Sequence, residues 1–379
     1  MTKEKLFKKL CLVHFKCSSE EKLEEEWEKI SLNFNYYDEA GLDFTKITDQ
    51  KLFKKRLESI FKEDEIKLFI STIKEDKVFF SKVINFFDKT RDDFLNLTET
   101  SSILKEINED GIAIVRGMFT EEKLDGLINF QNTMSKILGS EIFHSGYINL
   151  RIDWNRKMIT GAFLSKTEKN NGMVRLQSKS MGFFHPGLEE IIIDQNLLDV
   201  FRKWYNNSDV EIKRATMDWI TPAPFNHNGW HFDVLRDQLK AMILLSEVNL
   251  KNAPMFYAKK THKMLDEQVL EKRHKLINLG LSKKVSKNHD GQPCPVSYML
   301  DDEVNNAPTS LGFQDVLINE KPYQKAVCVG NIGDVIFFES SGFHSGNICL
   351  EGMRKDIVLT VDSSLSFKNI FFDFMSFDC

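Results

Sequence analysis

This chain carries Trp230-His231-Phe232-Asp233 and, further on, Gly333-Asp334-Val335-Ile336-Phe337-Phe338, which is followed by a lone His344 and then by Arg354. The apolar residues of the second stretch are typical of a buried β-strand. Alternate side chains of an extended strand point to the same face, so His231 and Asp233 would share one face. The sequence therefore predicts a β-rich domain with a cluster of polar side chains on its strands.

His231 and Asp233 have the donor atoms and the spacing of a pair of metal ligands. A third ligand has to come from elsewhere in the chain, and His344 is the best-placed candidate because it follows the second apolar stretch. Two histidines and one carboxylate bind Fe(II) on one face of an octahedron and leave three positions open. The alternative is that His231 is a core histidine and Asp233 a loop carboxylate.

Arg354 stands ten residues after His344 and just before the strand-like run Ile357–Val361. A guanidinium in this place could hold a carboxylate through two parallel hydrogen bonds. An ordinary surface ion pair is the alternative for this arginine.

The ordered set of motifs resembles the phytanoyl-CoA dioxygenase-like family of Fe(II)/2-oxoglutarate-dependent oxygenases. The resemblance extends roughly from Leu104 to Val361, and its closest part is the block from Gly333 to Arg354. The Lys260–Lys263 loop has a lysine where the family has glycine. Three other segments are similar to the family's opening strand and to the strand and turn after the first ligand pair: Glu109–Arg116, Ala241–Val248 and Asn252–Met255.

The resemblance implies an α+β fold whose core is a double-stranded β-helix, a jelly roll like that of the cupins, with flanking helices. All eight prolines lie between Pro186 and Pro322, so the front of the chain is free to be helical. We expect an all-helical module at residues 1–98 and the oxygenase at 99–379. The long polar stretch at about 263–330 is interpreted as an insertion over the mouth of the barrel.

Apolar residues recur at helical spacing in the first part of the chain. The pattern is typical of core-facing helix surfaces, and the aromatic stripe is read as core and not as a binding surface. The polar segment Thr98–Ser102 is the expected joint to the oxygenase. The predicted helical stretches are 19–34, Leu52–Phe61, Ile66–Ile73 and Phe79–Phe87.

The family's chemistry uses 2-oxoglutarate and O2 as co-substrates and releases succinate and CO2. The resemblance implies that Arg354 binds the C5 carboxylate of 2-oxoglutarate. It also implies that Ala215, Met217 and Trp219, which share one face of a strand, face the co-substrate and the substrate. The alternative is that these residues belong to the core of the barrel. Related halogenases have a small residue in place of the carboxylate ligand, so Asp233 favours hydroxylation.

Several other polar residues have less specific signals. Arg151, Arg175 and Gln177 could hold a substrate anion or the co-substrate, or could form structural ion pairs. Lys240, Arg175 and Arg151 are the next candidates for the carboxylate anchor if Arg354 does not serve. His227 is interpreted as a surface or substrate-side group.

Composition and charge limit the classes of partner and the cellular compartment that we expect for this protein. With 42% hydrophobic and 28% charged residues the chain is typical of a soluble globular protein. A formal charge of −5 gives no general electrostatic basis for binding nucleic acid. No apolar run is long enough for a membrane span. The six cysteines contain no C-x-x-C pair and predict reduced thiols in the cytoplasm.

These observations predict a dioxygenase that hydroxylates an unactivated C–H bond of a small molecule. One alternative is the same chemistry on a protein or carrier-bound substrate that docks on residues 1–98, which could also mediate self-association. Two others are a non-catalytic metal-binding barrel and a metal-dependent isomerase or hydrolase, which would need no Arg354.

Overall fold

The structure is a computed structural model that divides the chain into two compact units. One unit comprises Met1–Asp88 and Ser364–Cys379, and the other comprises Lys89–Ser363. For residues 134–144, 148–153, 158–163 and 173–178, and for a few single positions elsewhere, only the backbone path is described. The structure describes residues 1–14, 47, 49–97, 101–144, 148–153, 158–163, 173–178, 186–222, 232–233, 236–263, 270–271, 274, 286–287, 293–294, 324–347, 349–361 and 365–377.

Helices dominate the first unit and flank the strands of the second. Their bounds are α1 Lys3–His14, α2 Gln50–Ile60, α3 Glu63–Glu75, α4 Lys77–Leu97, α5 Ser102–Asp110, α6 Glu121–His144, α7 Pro186–Ile192, α8 Gln195–Tyr205 and α9 Phe367–Phe374. Helices α2, α3 and α4 confirm three of the helical patterns predicted from the sequence. The fourth, at residues 19–34, and most of the expected joint lie outside the described residues.

Strands of the second unit form two larger sheets and one hairpin-like pair. Their bounds are β1 Ile112–Val115, β2 Ile148–Asp153, β3 Met158–Phe163, β4 Met173–Ser178, β5 Ile212–Ile220, β6 Leu239–Leu244, β7 Met255–Ala258, β8 Ser286–Lys287, β9 Pro293–Cys294, β10 Lys325–Cys328, β11 Val335–Glu339, β12 His344–Gly346 and β13 Arg354–Val361. The eight-stranded sheet has the order β1-β11-β6-β13-β5-β4-β2-β3, and the three-stranded sheet has the order β10-β7-β12.

Pairing in these sheets is antiparallel, except that β2 runs parallel to β4. The chain moves back and forth between the sheets, because β6, β11 and β13 lie in the large one and β7, β10 and β12 in the small one. Strand β10 pairs with β7 from Lys325 to Cys328. This strand falls near the end of the expected insertion at about 263–330, most of which lies outside the described residues, and the insertion stays a prediction.

One face of the large sheet packs together with residues of the small sheet in a single apolar cluster, and we call this side the inner face. Val358 of β13 packs against this cluster, so Arg354, Asp356 and Thr360 lie on the inner face by alternation. The buried members of the cluster are Ile112, Met242, Leu244, Val248, Met255, Tyr257, Cys328, Ile336 and Phe338.

The opposite face of the large sheet carries contacts with the long helix α6. The indole Nε1 of Trp219 donates to the carbonyl of Gln131 over 3.3 Å, and Lys355 Nζ donates to Asn132 over 2.6 Å. Gln131 in turn donates through its side chain to the carbonyl of Asp218. We call this the outer face.

Phenylalanines build the core of the helical unit, and α9 supplies several of them. The ring of Phe371 lies 5.1 Å from that of Phe69 and 5.3 Å from that of Phe87. Ser366 caps α9 by accepting the N–H of Asn369. The final residues, which were expected to belong with the barrel, thus group with the amino-terminal helices.

None of the helices in the described part of the chain combines the length and the apolarity that a membrane span requires.

The packing of α9 generates a prediction about stability. Phe371→Ala should destabilise the helical unit by about 3–5 kcal/mol, because it removes a buried ring that contacts two other helices. Asp373→Ala in the same helix is the matched control, since its side chain is exposed and its effect should stay within about 0.5 kcal/mol. Hydrogen exchange of α2 and α3 measures the effect directly. Unchanged protection in the Phe371 variant would contradict the assignment of α9 to this unit.

Candidate metal centre

Two segments that are remote in sequence meet where the metal ligands were predicted. The rings of Phe232 and Phe343 pack edge to face with centroids 5.6 Å apart. The backbone N–H of Asp233 donates to the carbonyl of Ser340 over 2.9 Å. Both phenylalanines are fully buried. These contacts bring Asp233 beside the segment that ends in His344.

The imidazole of His344 is oriented by a backbone carbonyl. Its Nδ1 lies 2.9 Å from the carbonyl oxygen of Gly342, and a carbonyl can only accept. The proton of the neutral ring therefore resides on Nδ1, and Nε2 keeps its lone pair. That nitrogen lies 3.6 Å from Oδ2 of Asp233. A donor pair with this orientation is what a metal ion requires of histidine and carboxylate ligands.

Aromatic side chains fix the plane of the His344 ring. Tyr257 stacks on it at an interplanar angle of 12°, and the ring centroid of Phe338 lies 5.3 Å away. His344 pairs with Tyr257 across strands β12 and β7, so the backbone holds the same two residues together. The His344 side chain is 7% exposed and that of Asp233 is 19% exposed, which leaves the pair open on one side.

Gly342 makes room for the hydroxyl of Tyr257. A Cβ atom on Gly342 would lie 1.9 Å from Tyr257 Oη, so no larger residue fits without movement. The hydroxyl donates to the carbonyl of Glu339 over 2.9 Å. Tyr257, Gly342 and the Gly342 carbonyl therefore form the support on which the His344 ring is oriented.

The residues present fit a metal ion. Two donor atoms that are each about 2.1 Å from one ion lie about 3.0 Å apart at an octahedral angle and about 3.4 Å apart at a tetrahedral one, so the Nε2–Oδ2 distance of 3.6 Å has to shorten only by a few tenths of an ångström. Imidazole nitrogen and carboxylate oxygen suit Fe(II) as well as other first-row ions. The third predicted ligand, His231, lies outside the described residues. Within the described residues no group of three His, Cys, Asp or Glu side chains could hold a metal ion.

Lys240 also contacts the candidate ligand Asp233. Its Nζ forms a short ion pair with Oδ2, the oxygen that faces His344. Lys240 lies opposite Thr360 in the register of β6 and β13, which places it on the inner face. The lysine side chain is 11% exposed, so the pair is partly shielded from water.

Arg354 lies on the same inner face but is already engaged. Its Nε donates to Asp356 Oδ2 over 2.8 Å, and Nη1 donates to the carbonyl of Ala253. Both charged side chains are buried. The guanidinium is therefore held by a carboxylate and a carbonyl of the protein, and its predicted role as an anchor for 2-oxoglutarate stays a prediction.

Met217 and Trp219, predicted to face the co-substrate, lie on the other face of the large sheet from Arg354, so their binding role stays a prediction that this placement does not support. Met217 pairs with Ile357 and Trp219 with Lys355, so these two side chains point to the outer face, away from Arg354. Trp219 packs against α6 there. The physical reason is the two-residue period of the strand: Ala215, Met217 and Trp219 do share a face, but it is the helix-covered one.

The backbone register of β4 and β2 gives the positions of three residues that were predicted as candidates for holding an anion. Arg175 is paired with Asp218, and Gln177 with Thr216. Arg151 of β2 is paired with Gln177. Asp218 itself lies opposite Asp356. His227 lies outside the described residues.

Two buried thiols lie near Arg354. Burial raises the pKa of Cys328 to about 12, although the charges of Arg354 and Arg116 act in the opposite direction. Burial also raises the pKa of the Cys349 thiol, against the effect of Arg354. Both groups stay neutral at physiological pH and do not compensate the charge of Arg354.

Three residues of this site were not foreseen. Asp356 stands two residues after Arg354, and strand alternation could have indicated that the two share a face. Tyr257 and Gly342 carry no such signal, because their contact depends on how β7 and the turn before β12 pack. Lys240 was named, but as a substitute for Arg354 and not as a partner of Asp233.

No protein-family model matches the sequence of this chain, and no curated protein matches it either.

Solved structures resemble the fold. An α-ketoglutarate-dependent non-haem epimerase, SnoN from nogalamycin biosynthesis, is 8% identical, with 69% of this chain and 80% of that chain covered and a TM-score of 0.42. HygX from Streptomyces hygroscopicus, with nickel and 2-oxoglutarate bound, is 11% identical, with 70% of this chain and 88% of that chain covered and a TM-score of 0.43. EctD from S. alaskensis with bound Fe is 15% identical, with 71% of this chain and 78% of that chain covered and a TM-score of 0.43. Values this low leave the function to be argued from the residues of this chain.

The support of His344 generates a prediction. Gly342→Ala should destabilise the unit by about 1–3 kcal/mol, because the new methyl group overlaps Tyr257 Oη. The same change should weaken metal binding, since the Gly342 carbonyl orients the ring of His344. Tyr257→Phe removes the hydroxyl, so the double variant should be more stable than the sum of the single effects predicts. Simple additivity within about 0.5 kcal/mol would contradict this packing.

Proposed function

We propose that this protein is an Fe(II)/2-oxoglutarate-dependent dioxygenase that hydroxylates an unactivated C–H bond of a small molecule. The observation that carries the proposal is the pairing of His344 Nε2 with Asp233 Oδ2 at 3.6 Å, with Nδ1 of His344 turned to a carbonyl. A carboxylate that faces Nε2 while a carbonyl holds Nδ1 is the arrangement that a histidine ligand of a metal ion needs. The arrangement supplies two of the three ligands of a facial triad.

The fold supports this proposal as a double-stranded β-helix. In such a core the chain alternates between a larger and a smaller sheet, and the strand order of both sheets follows from that path. The alternation of β6, β7, β10, β11, β12 and β13 between the two sheets is the observation that supports this part of the proposal. The proposed resemblance to the phytanoyl-CoA dioxygenase-like family rests on the motifs of the sequence.

His231 is the proposed third ligand. Phe232 is buried against Phe343, while the side chain of its neighbour Asp233 turns to His344. Alternation along an extended segment would place His231 on the same side as Asp233. The three side chains would then hold Fe(II) from one face.

The residues of the chain would bind and orient the co-substrates. Fe(II) in this site supplies the binding and activation of O2, with oxidative decarboxylation of 2-oxoglutarate to succinate and CO2. Arg354 would hold the C5 carboxylate, for which Asp356 and the Ala253 carbonyl fix the guanidinium in advance. The apolar residues around Phe338 and Tyr257 would exclude water from the reaction.

The substrate is proposed to be a small metabolite, and the protein to act in the cytoplasm. The alternatives have distinct tests. Succinate formation that depends on a protein or carrier and on residues 1–98 would indicate a docked substrate, whereas metal binding without turnover would indicate a binding protein. A screen of metabolites for stimulated succinate release from 2-oxoglutarate, with Fe(II) and ascorbate, identifies the substrate.

The ligand assignment predicts a spectroscopic result. Anaerobic Fe(II) and 2-oxoglutarate should produce a weak visible charge-transfer band, and His231→Ala or His344→Ala should abolish it along with turnover. His262→Ala is the matched control, because His262 is buried as well but contacts the carbonyl of Asn108. A band that survives the His231 or His344 substitution unchanged would show that the assignment of that ligand is wrong.

A test of Arg354 as the 2-oxoglutarate anchor has to take its buried ion pair with Asp356 into account. Arg354→Leu alone would leave the Asp356 carboxylate buried without its cation and would destabilise the fold. We therefore compare the wild type with the double variant Asp356→Asn, Arg354→Leu, which removes both charges of the pair together. Loss of the guanidinium should raise the apparent constant for 2-oxoglutarate by at least ~30-fold, from a cost of about 2–5 kcal/mol. Equal constants in the wild type and the double variant would assign the anchor to another basic residue.

A further inference from the structure

Lys240 and a metal ion need the same atom. The ammonium of Lys240 contacts Oδ2 of Asp233, and Oδ2 is also the oxygen that faces Nε2 of His344. The side chains of Lys240 and Asp233 are 11% and 19% exposed. Because little water screens this pair, its electrostatic attraction is stronger than that of a surface ion pair.

Lys240 and the proposed metal ligand His344 reach Asp233 from different sheets. Lys240 lies on β6 and is paired with Phe338 of β11 and with Thr360 of β13. His344 comes from β12 in the small sheet, and its ring packs against Phe338. Both side chains reach the same oxygen of Asp233, so a metal ion bound to that oxygen and to His344 would meet the ammonium of Lys240 there.

A metal ion on Oδ2 would repel the ammonium. Two cations that contact one carboxylate oxygen are only a few ångströms apart, and a partly buried site weakens their repulsion less than bulk water does. Metal binding thus requires that Lys240 leave this oxygen or accept a much weaker contact. The long, flexible stem of lysine makes such a movement possible.

Charge compensation indicates what the displaced ammonium would attract. Arg354 and Asp356 neutralise each other within the inner face. A divalent ion, the Asp233 carboxylate and the Lys240 ammonium together carry two positive charges, counted for these three groups alone and without Asp218 and Arg214 of the same face. The co-substrate 2-oxoglutarate is a dianion and would balance these two charges.

We propose that Lys240 competes with the metal ion for Asp233 and, once displaced, attracts the anionic co-substrate, so that metal ion and co-substrate bind with positive coupling. This inference rests on the proposed function, because it takes Asp233 as a metal ligand. Coupling of this kind is reciprocal: 2-oxoglutarate tightens metal binding by the same factor by which the metal tightens 2-oxoglutarate binding.

The test is a titration of chelator-treated protein with Mn(II), in which free Mn(II) is measured by electron paramagnetic resonance with and without 2-oxoglutarate. Lys240→Met keeps the length of the side chain and removes the charge. It should bind Mn(II) alone at least ~10-fold more tightly, because it loses a competing charge-assisted hydrogen bond. The factor by which 2-oxoglutarate tightens Mn(II) binding should fall in this variant to a tenth of the wild-type factor or less.

Matched variants separate charge from packing. Lys240→Arg keeps the charge and should behave like the wild type. Lys355→Met removes another partly buried lysine of the large sheet, one that contacts Asn132 on the outer face, and should leave both constants unchanged. Lys240→Gln is a second neutral variant, which serves if Lys240→Met does not fold.

Each result decides for or against the inference. Mn(II) binding that is weaker or equal in the neutral Lys240 variants would overturn it, since Lys240 would then orient the carboxylate instead of competing for it. Equal co-substrate factors in wild type and variant would overturn the coupling. If wild-type Mn(II) binding is absent or insensitive to Asp233→Ala and His344→Ala, the proposed function fails first and the inference fails with it.

Discussion

The packing of Phe232 against Phe343 is the contact on which the candidate site depends. The two residues precede Asp233 and His344 in the chain, and burying both rings brings these polar neighbours together. The hydrogen bond from the Asp233 N–H to the Ser340 carbonyl fixes the distance between the segments. Apolar burial thus provides the free energy that holds two polar side chains in a fixed relation, and the proposed metal donors would be oriented before any ion binds.

Two pairs of charged groups on the inner face compensate each other, which is a condition for burying them. Arg354 with Asp356 and Lys240 with Asp233 are both partly or fully shielded from water. A single unpaired charge in such a place would cost several kcal/mol, on the order of 3–5 when one partner of a pair is removed. Substitution at one member of a pair therefore reports on its partner as well as on function, which is why single variants of Arg354 are difficult to interpret.

The sequence was sufficient for features that depend on local pattern. The apolar runs at β11 and β13 and the period of α2 to α4 are properties of neighbouring residues, and the structure has these elements. The face of Met217 and Trp219 depended on which side of β5 is covered by α6, and no local pattern states that. The place of α9 depended on contacts of Phe371 with residues about 300 positions earlier in the chain, such as Phe69.

Sequence separation also explains why the roles of Arg354 and Lys240 were not distinguished. Arg354 and Asp356 are two residues apart in one strand, whereas Lys240 follows Asp233 by seven residues, a spacing that strand alternation does not connect. The partners of Arg354, Asp356 and the Ala253 carbonyl, are not metal ligands in our assignment, so metal binding leaves this guanidinium in place. Lys240 shares its partner with the proposed ion and has to respond to it. One cation is thus suited to hold a carboxylate at a fixed position, and the other to link the occupancy of the metal site to the charge of what binds beside it.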